Sequence, residues 1–380
     1  MHRLLSIVLA SSLLSGCAAW FEASSRPKPT PLTAVEVTQP LLLKWSASLK
    51  ATDPGSFPAI YDRGEVIVAH ERGSIRVFDA GTGHQTAHFD LKRTLTSGVG
   101  VNAELYLLGT AEGTLLAVER NSTKVKWEQP LSSVTLEVPL LSAEHVVVRT
   151  NDDRITGFAL AEGQQLWSVP HYMPQLTLLD TGSLSQVGNE AVLAGLTGGK
   201  IQVLAQASGS VLWEGVVATP KGATELERIT DVASRPIYDG GQICAVAYQG
   251  RVACFDAKNG SLLWARALSS SRGIAVDAKQ LYVTDEDDIV WAFDRFTGRN
   301  VWQLDALKYR VVSGPTLLGD FVLVIDAEGV AHLLSPEHGR IVGRSTIGTK
   351  GLVGQPVALG NMALAEGRNG RIVMLSLGKP

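Results

Sequence analysis

One line of residues returns along most of this chain: an apolar anchor, a glycine five positions later and a tryptophan nine positions later. Phe255, Gly260 and Trp264 form its clearest copy. Phe293–Gly298–Trp302, Phe158–Gly163–Trp167 and Leu204–Gly209–Trp213 repeat it. Three further copies keep the spacing but change one residue: Thr123 stands between Val118 and Trp127, Ala87 follows Phe78 and Gly83, and Gly343 follows Leu334 and Gly339. An eighth anchor, Leu375, lies too near the C-terminus to be followed by a tryptophan, whereas Trp45 has no anchor before it. The anchors stand at 78, 118, 158, 204, 255, 293, 334 and 375, with gaps of 40, 40, 46, 51, 38, 41 and 41. Length alone would divide 380 residues into two or three domains. A fixed period of this size says instead that one unit is stacked many times.

Each unit is built of strands. Short β-branched runs bounded by glycine precede each anchor, as in Val66-Ile67-Val68 before Gly73, or Ile243-Cys244-Ala245-Val246 before Gly250. The Asp-x-x-Thr-Gly segment after the anchor is a tight turn in which the carboxylate accepts turn amides and the glycine takes a positive φ. A strand ending in tryptophan follows, and a further strand begins near Pro58, Pro139, Pro236, Pro315 or Pro356. Four strands repeated eight times predict an all-β, eight-bladed β-propeller of four-stranded antiparallel blades. The tryptophan is large enough to bridge neighbouring blades. The last unit lacks its tryptophan strand and Trp45 lies on an orphan strand, so pairing of 41–49 with the last blade is expected to close the ring, making 35–380 one unit.

The N-terminus reads as an address. His2 and Arg3 precede a largely apolar stretch from Leu4 to Leu14, and Leu14-Ser15-Gly16-Cys17 closes it. That stretch is shorter than the roughly 20 residues of a membrane-spanning helix and suits a secretory signal. The ending resembles a bacterial lipobox, which implies cleavage of 1–16 and acylation of Cys17. Ala18 after the cysteine implies export to the outer membrane in the lipoproteins it resembles. Residues 17–34, with Pro27, Pro29 and Pro31, are expected to form a lipidated, semi-extended tether. The formal charge is −3, and −4 once Arg3 is removed with the signal (33 basic against 37 acidic), which argues against nucleic acid as a partner.

The repeat Val-x-x-x-Asp-x-x-Thr-Gly-x-x-x-Trp resembles the pyrroloquinoline-quinone-type propeller repeat. With the lipobox, the proline tether and eight blades, the chain resembles the BamB family, lipoprotein subunits of the bacterial outer-membrane β-barrel assembly (BAM) machinery. Glu225-Leu226-Glu227-Arg228-Ile229-Thr230-Asp231-Val232 and Met173-Pro174-Gln175-Leu176-Thr177-Leu178 resemble that family's segments between blades four and five and between blades three and four. The spacing reaches the same place independently. The two longest gaps put extra residues in 170–183 and 217–235, both connections between blades, on one rim. Long loops on a rigid scaffold are where binding concentrates. Met173, Leu176, Leu178 and Leu179 beside Glu225, Glu227, Arg228 and Asp231 set an apolar anchor against a charged ridge, the anatomy of a protein interface. The resemblance implies that Leu176, Leu178, Arg228 and Asp231 bind BamA through its periplasmic POTRA domains, and that unfolded outer-membrane proteins are passing partners. Leu179 and Ala233 stand where the family carries Arg and Asp.

The same propeller type also serves quinone-dependent dehydrogenases, so a periplasmic quinoprotein-like enzyme or ligand sensor stands as the alternative to a non-enzymatic scaffold. Those enzymes bring calcium, an aspartate base and often adjacent cysteines. Here the cysteines are at 17, 244 and 254, and the histidines show no metal spacing. Asp285-Glu286-Asp287-Asp288 reads as a solvated acidic turn, lacking the glycine and distal glutamate of a calcium loop. No cofactor is expected. Cys244 and Cys254 lie on the two arms of one hairpin. A three-residue turn would set them opposite each other and permit a disulfide; a two-residue turn would face them apart.

Overall fold

The computed structural model describes residues 27–49, 57–120, 122–178 and 184–379. Cys17 and Leu179 lie outside them. The described residues contain thirty-two strands in eight four-stranded antiparallel sheets. Each sheet runs in chain order from an inner strand to an outer one, except the last. There the order is Val357–Leu359, Met362–Glu366, Arg371–Leu377 and then Leu41–Ser48. Leu41 faces Leu377 and Ser48 faces Arg371, so the N-terminal strand is the outer strand of blade 8 and closes the ring.

The core is a ring of interfaces. Each of eight buried apolar clusters spans one junction between blades: Ile67, Ile75 and Val77 of blade 1, for example, pack on Tyr106, Leu108 and Leu116 of blade 2. The second strand of every blade is covered on both faces, so its sequence runs nearly continuously apolar instead of alternating, as in Leu105–Gly109.

The anchor–Gly–Trp line is the grammar of these junctions. The glycine of each turn seats the tryptophan of the preceding blade. A Cβ on Gly83, Gly163, Gly209, Gly260, Gly298 or Gly339 would lie 2.4–2.6 Å from the ring of Trp45, Trp127, Trp167, Trp213, Trp264 or Trp302 respectively. Each of those indole N–H groups donates to a carbonyl of the same turn, at 2.7–3.0 Å, on Ala80, Leu160, Gln206, Ala257, Arg295 and Pro336. The turn itself is held by its aspartate: Asp294 Oδ1 accepts from the amides of Phe296 and Thr297 and from the Thr297 hydroxyl.

This pairing explains the irregular repeats. Blade 1 has Ala87 for tryptophan, and the turn it would reach, in blade 2, has Thr123 for glycine, so ring and seat are lost together. Arg120 of that turn bridges the same junction instead, bonding Asp62 and Glu65 of blade 1 and lying 5.8 Å from the Tyr106 ring centroid. Blade 7 has Gly343 because blade 8 possesses no such turn; the N-terminal segment fills the place. A Cβ on Gly343 would lie 2.3 Å from the carbonyl oxygen of Gln39.

The segment expected as a free tether is docked from Thr30 onward. Thr30 N–H donates to Lys308 O (3.0 Å), Arg310 donates to Thr30 O (3.0 Å) and Arg344 to Thr33 O (2.6 Å). The amides of Thr38 and Gln39 donate to Val342 O. The chain thus descends the outside of blade 7 before rising as the closing strand.

In blade 5, Ala247 N–H donates to Arg251 O, which leaves a three-residue turn, 248–250. Cys244 faces Cys254 across the ladder, and their sulfurs are bonded. The acidic turn of blade 6 is less solvated than its composition suggests. Asp288 is buried, accepting the amides of Val311 and Val312 and pairing with Arg272 at 3.1 Å.

Candidate functional site

Strand direction alternates within a blade. The connections between blades and the turns between second and third strands therefore share one face of the ring. Both long insertions emerge there, on either side of blade 4: 171–184 follows Gln165–Pro170, and 217–236 follows Val211–Val216. A cleft of about 180 Å³ opens beside the first, with Leu136, Met173 and Leu178 among its walls.

The second insertion owes its shape to local bonds. The Glu227 carboxylate accepts the amides of Ala223 (2.8 Å) and Thr224 (3.1 Å), which holds its carboxyl below the usual range. Gly222, at φ 138°, is required where the chain folds back, because a Cβ there would lie 2.3 Å from that of Glu227. Arg228 pairs with Glu225 at 3.0 Å in the open, a contact worth little to stability. This folding pushes Leu226 outward, 67% exposed.

Of the residues expected to form the site, Leu176 is 48% exposed and Arg228 is also exposed. Leu178 is half-buried and Asp231 is 1% exposed. Asp231 therefore serves from beneath the surface. Its Oδ2 accepts the Leu178 amide (2.8 Å) and its Oδ1 the Gly198 amide (3.0 Å), while its own carbonyl accepts from Tyr248 N–H (2.8 Å). The carboxylate thus ties the two insertions to each other and to blade 4, and the backbone carbonyl of the same residue ties them to blade 5. Burial pushes its carboxyl up, against the pull of those two amides and of Arg149, with Asp153 adding to the push. Ala233 is half-buried on the same segment.

Sequence reasoning missed part of this surface. Tyr172 is 85% exposed, and Leu136 and Val138, on the connection between blades 2 and 3, continue the apolar strip. It also missed the support. Beneath the strip, Arg149 is clasped by Asp153, with Nε at 2.8 Å and Nη2 at 2.6 Å from Oδ1. The readable signal was an arginine in a strand as apolar as His145–Arg149. Among the described residues, no three His, Cys, Asp or Glu side chains gather as metal ligands, and no helix is long and apolar enough to cross a membrane.

Known proteins resemble this one over its length. A family described as outer membrane protein assembly factor BamB matches residues 71–304. The BamB of Bordetella pertussis is 34% identical over 372 residues, covering 97% of this chain and 96% of that one. The crystal structure of BamB from Moraxella catarrhalis superposes with a TM-score of 0.80 at 25% identity, covering 88% of this chain and 99% of that one. A quinohemoprotein alcohol dehydrogenase of Pseudomonas putida shares the fold alone, with a TM-score of 0.71 at 12% identity over 92% of this chain and 78% of that one.

Proposed function

The chain belongs to the BamB family of outer membrane protein assembly factors, and on that premise we propose that the rim flanking blade 4 docks BamA through its periplasmic POTRA domains. An accessory subunit of the BAM complex, associated with the outer membrane, needs a docking face and no reaction centre. We read the protein accordingly as a non-enzymatic scaffold. The observation that carries the docking assignment is the single bonded surface made by the two insertions: exposed Leu176 and Leu226 beside Arg228, held from below by Asp231. Apolar anchors ringed by charge are what a partner domain can desolvate.

We further propose that acylated Cys17 holds the propeller at the outer membrane, facing the periplasm. Thr30 leaves the ring at the junction of blades 6 and 7, on the same face as the insertions, so 17–29 would form the free tether. Unfolded outer-membrane proteins would meet the scaffold transiently.

A pull-down with the BamA periplasmic region tests the docking face. Leu176→Ala/Leu178→Ala is expected to weaken binding by about 2–4 kcal/mol, roughly 30-fold or more, with the circular dichroism spectrum unchanged. Arg228→Ala is expected to cost under about 1 kcal/mol, since its charge is solvated. Undiminished binding by the double-leucine variant would move the interface elsewhere. Titration of pyrroloquinoline quinone with calcium into the purified protein is expected to give no change in the cofactor's absorbance; a saturable new band would restore the quinoprotein alternative.

A further inference from the structure

We propose that Arg149 is the positioning residue of the docking rim: it never reaches the surface, yet it sets both insertions in place. The proposal rests on the docking assignment above. Arg149 ends the second strand of blade 3. In the other seven blades that strand ends in Ala69, Gly109, Gly195, Val246, Thr284, Ile325 and Glu366, so a basic residue here is peculiar to this blade. It is only 3% exposed. A guanidinium taken so far out of water is retained only where its donors are met.

Its donors are met by the elements that carry the site. Besides the two bonds to Asp153, Nη1 donates to Gly195 O of blade 4 at 2.6 Å and stands 3.4 Å from Glu137 of the connection between blades 2 and 3. The second oxygen of Asp153 accepts the Thr197 hydroxyl (2.9 Å), which also lies 3.3 Å from Tyr172 O, and the Asp153 carbonyl accepts His171 N–H (3.1 Å). The start of the first insertion is thereby fixed through Asp153 and Thr197. Farther along it, Leu178 is fixed through Asp231, which also binds Gly198 in the same turn. Asp153 and Asp231 are two buried carboxylates flanking one short turn; Arg149 pairs directly with the first, and its charge also draws down the carboxyl of the second. Without it their repulsion would push the turn, and both insertions with it, out of register.

The test compares Arg149→Met and Arg149→Lys with the full-length wild type in two measurements: binding to the BamA periplasmic region, and amide hydrogen exchange at Leu178 and Gly198. Arg149→Met is expected to lose about tenfold or more in binding and to speed exchange at those two amides, while amides in blades 6 to 8 stay protected. Arg149→Lys, which keeps the charge but not the fork, should recover part of both. Wild-type binding by Arg149→Met would overturn the proposal, as would weakened binding with exchange at Leu178 and Gly198 unchanged. If Arg149→Met unfolds globally, Arg149→Met/Asp153→Asn, which removes the pair together, takes its place; normal binding by that folded variant would refute the positioning role. Failure of the wild type to bind would remove the docking assignment itself.

Discussion

A chain lacking residues 41–49 is expected to lose its monomeric fold. That strand contributes more than its own ladder. Trp45 is the tryptophan of the blade 8 to blade 1 junction, 9% exposed, with its indole N–H on Ala80 O and its ring over Gly83. Leu41 belongs to the cluster between blades 7 and 8. Deletion therefore opens gaps in two of the eight junctions and bares the edge of Arg371–Leu377, whose centre is fully buried in the intact ring. Truncating one buried tryptophan alone costs about 3–5 kcal/mol, against a total stability of about 5–15 kcal/mol for a typical domain. The bared edge is a template for pairing with another chain. Size-exclusion chromatography should show aggregates or a strand-exchanged oligomer. A monomer with native circular dichroism would mean that closure is dispensable.

The ring was legible because its signals are local and repeated. Anchor, turn and tryptophan lie within ten residues, and the two anomalies at the chain ends, Trp45 without an anchor and Leu375 without a tryptophan, complete each other. The candidate site was legible only as excess length. Its geometry depends on residues far apart in the chain: Asp231 meets Leu178 across 53 positions, and no periodicity links them. An aspartate three residues after Arg228 reads as part of a charged surface. Its burial follows from the amides around it, which a sequence does not display. The segment after Thr30 escaped for the same reason. Proline-rich backbone has no internal hydrogen bonds and reads as free, yet Arg310 reaches Thr30 from 280 positions away. Arg149 stood in plain view as an arginine in an apolar strand, but the carbonyl it reaches, Gly195 O, lies 46 positions away, beyond any local pattern.

Gly298→Ala is expected to destabilise the ring by about 2–5 kcal/mol through two separable causes, and a second substitution should tell them apart. Gly298 sits at φ 65°, where an L-residue costs about 1–2 kcal/mol. Its added Cβ would also meet the Trp264 ring at 2.4 Å, an overpacking that typically costs about 1–3 kcal/mol. Trp264→Ala alone should cost about 3–5 kcal/mol by opening a cavity between blades 5 and 6. In that background the new methyl has no ring to strike, and only the backbone cost remains. The double variant should therefore be more stable than the sum of the singles by about 1–3 kcal/mol, read from urea midpoints at equal slope. The junction of blades 1 and 2 already stands in the doubly substituted condition, with Ala87 and Thr123 in place of tryptophan and glycine. That is why neither position there shows the conflict that a single change elsewhere would create. Strict additivity at Gly298 and Trp264 would mean that the glycine is kept for its φ alone, and that the ring and its seat are matched only by coincidence of spacing.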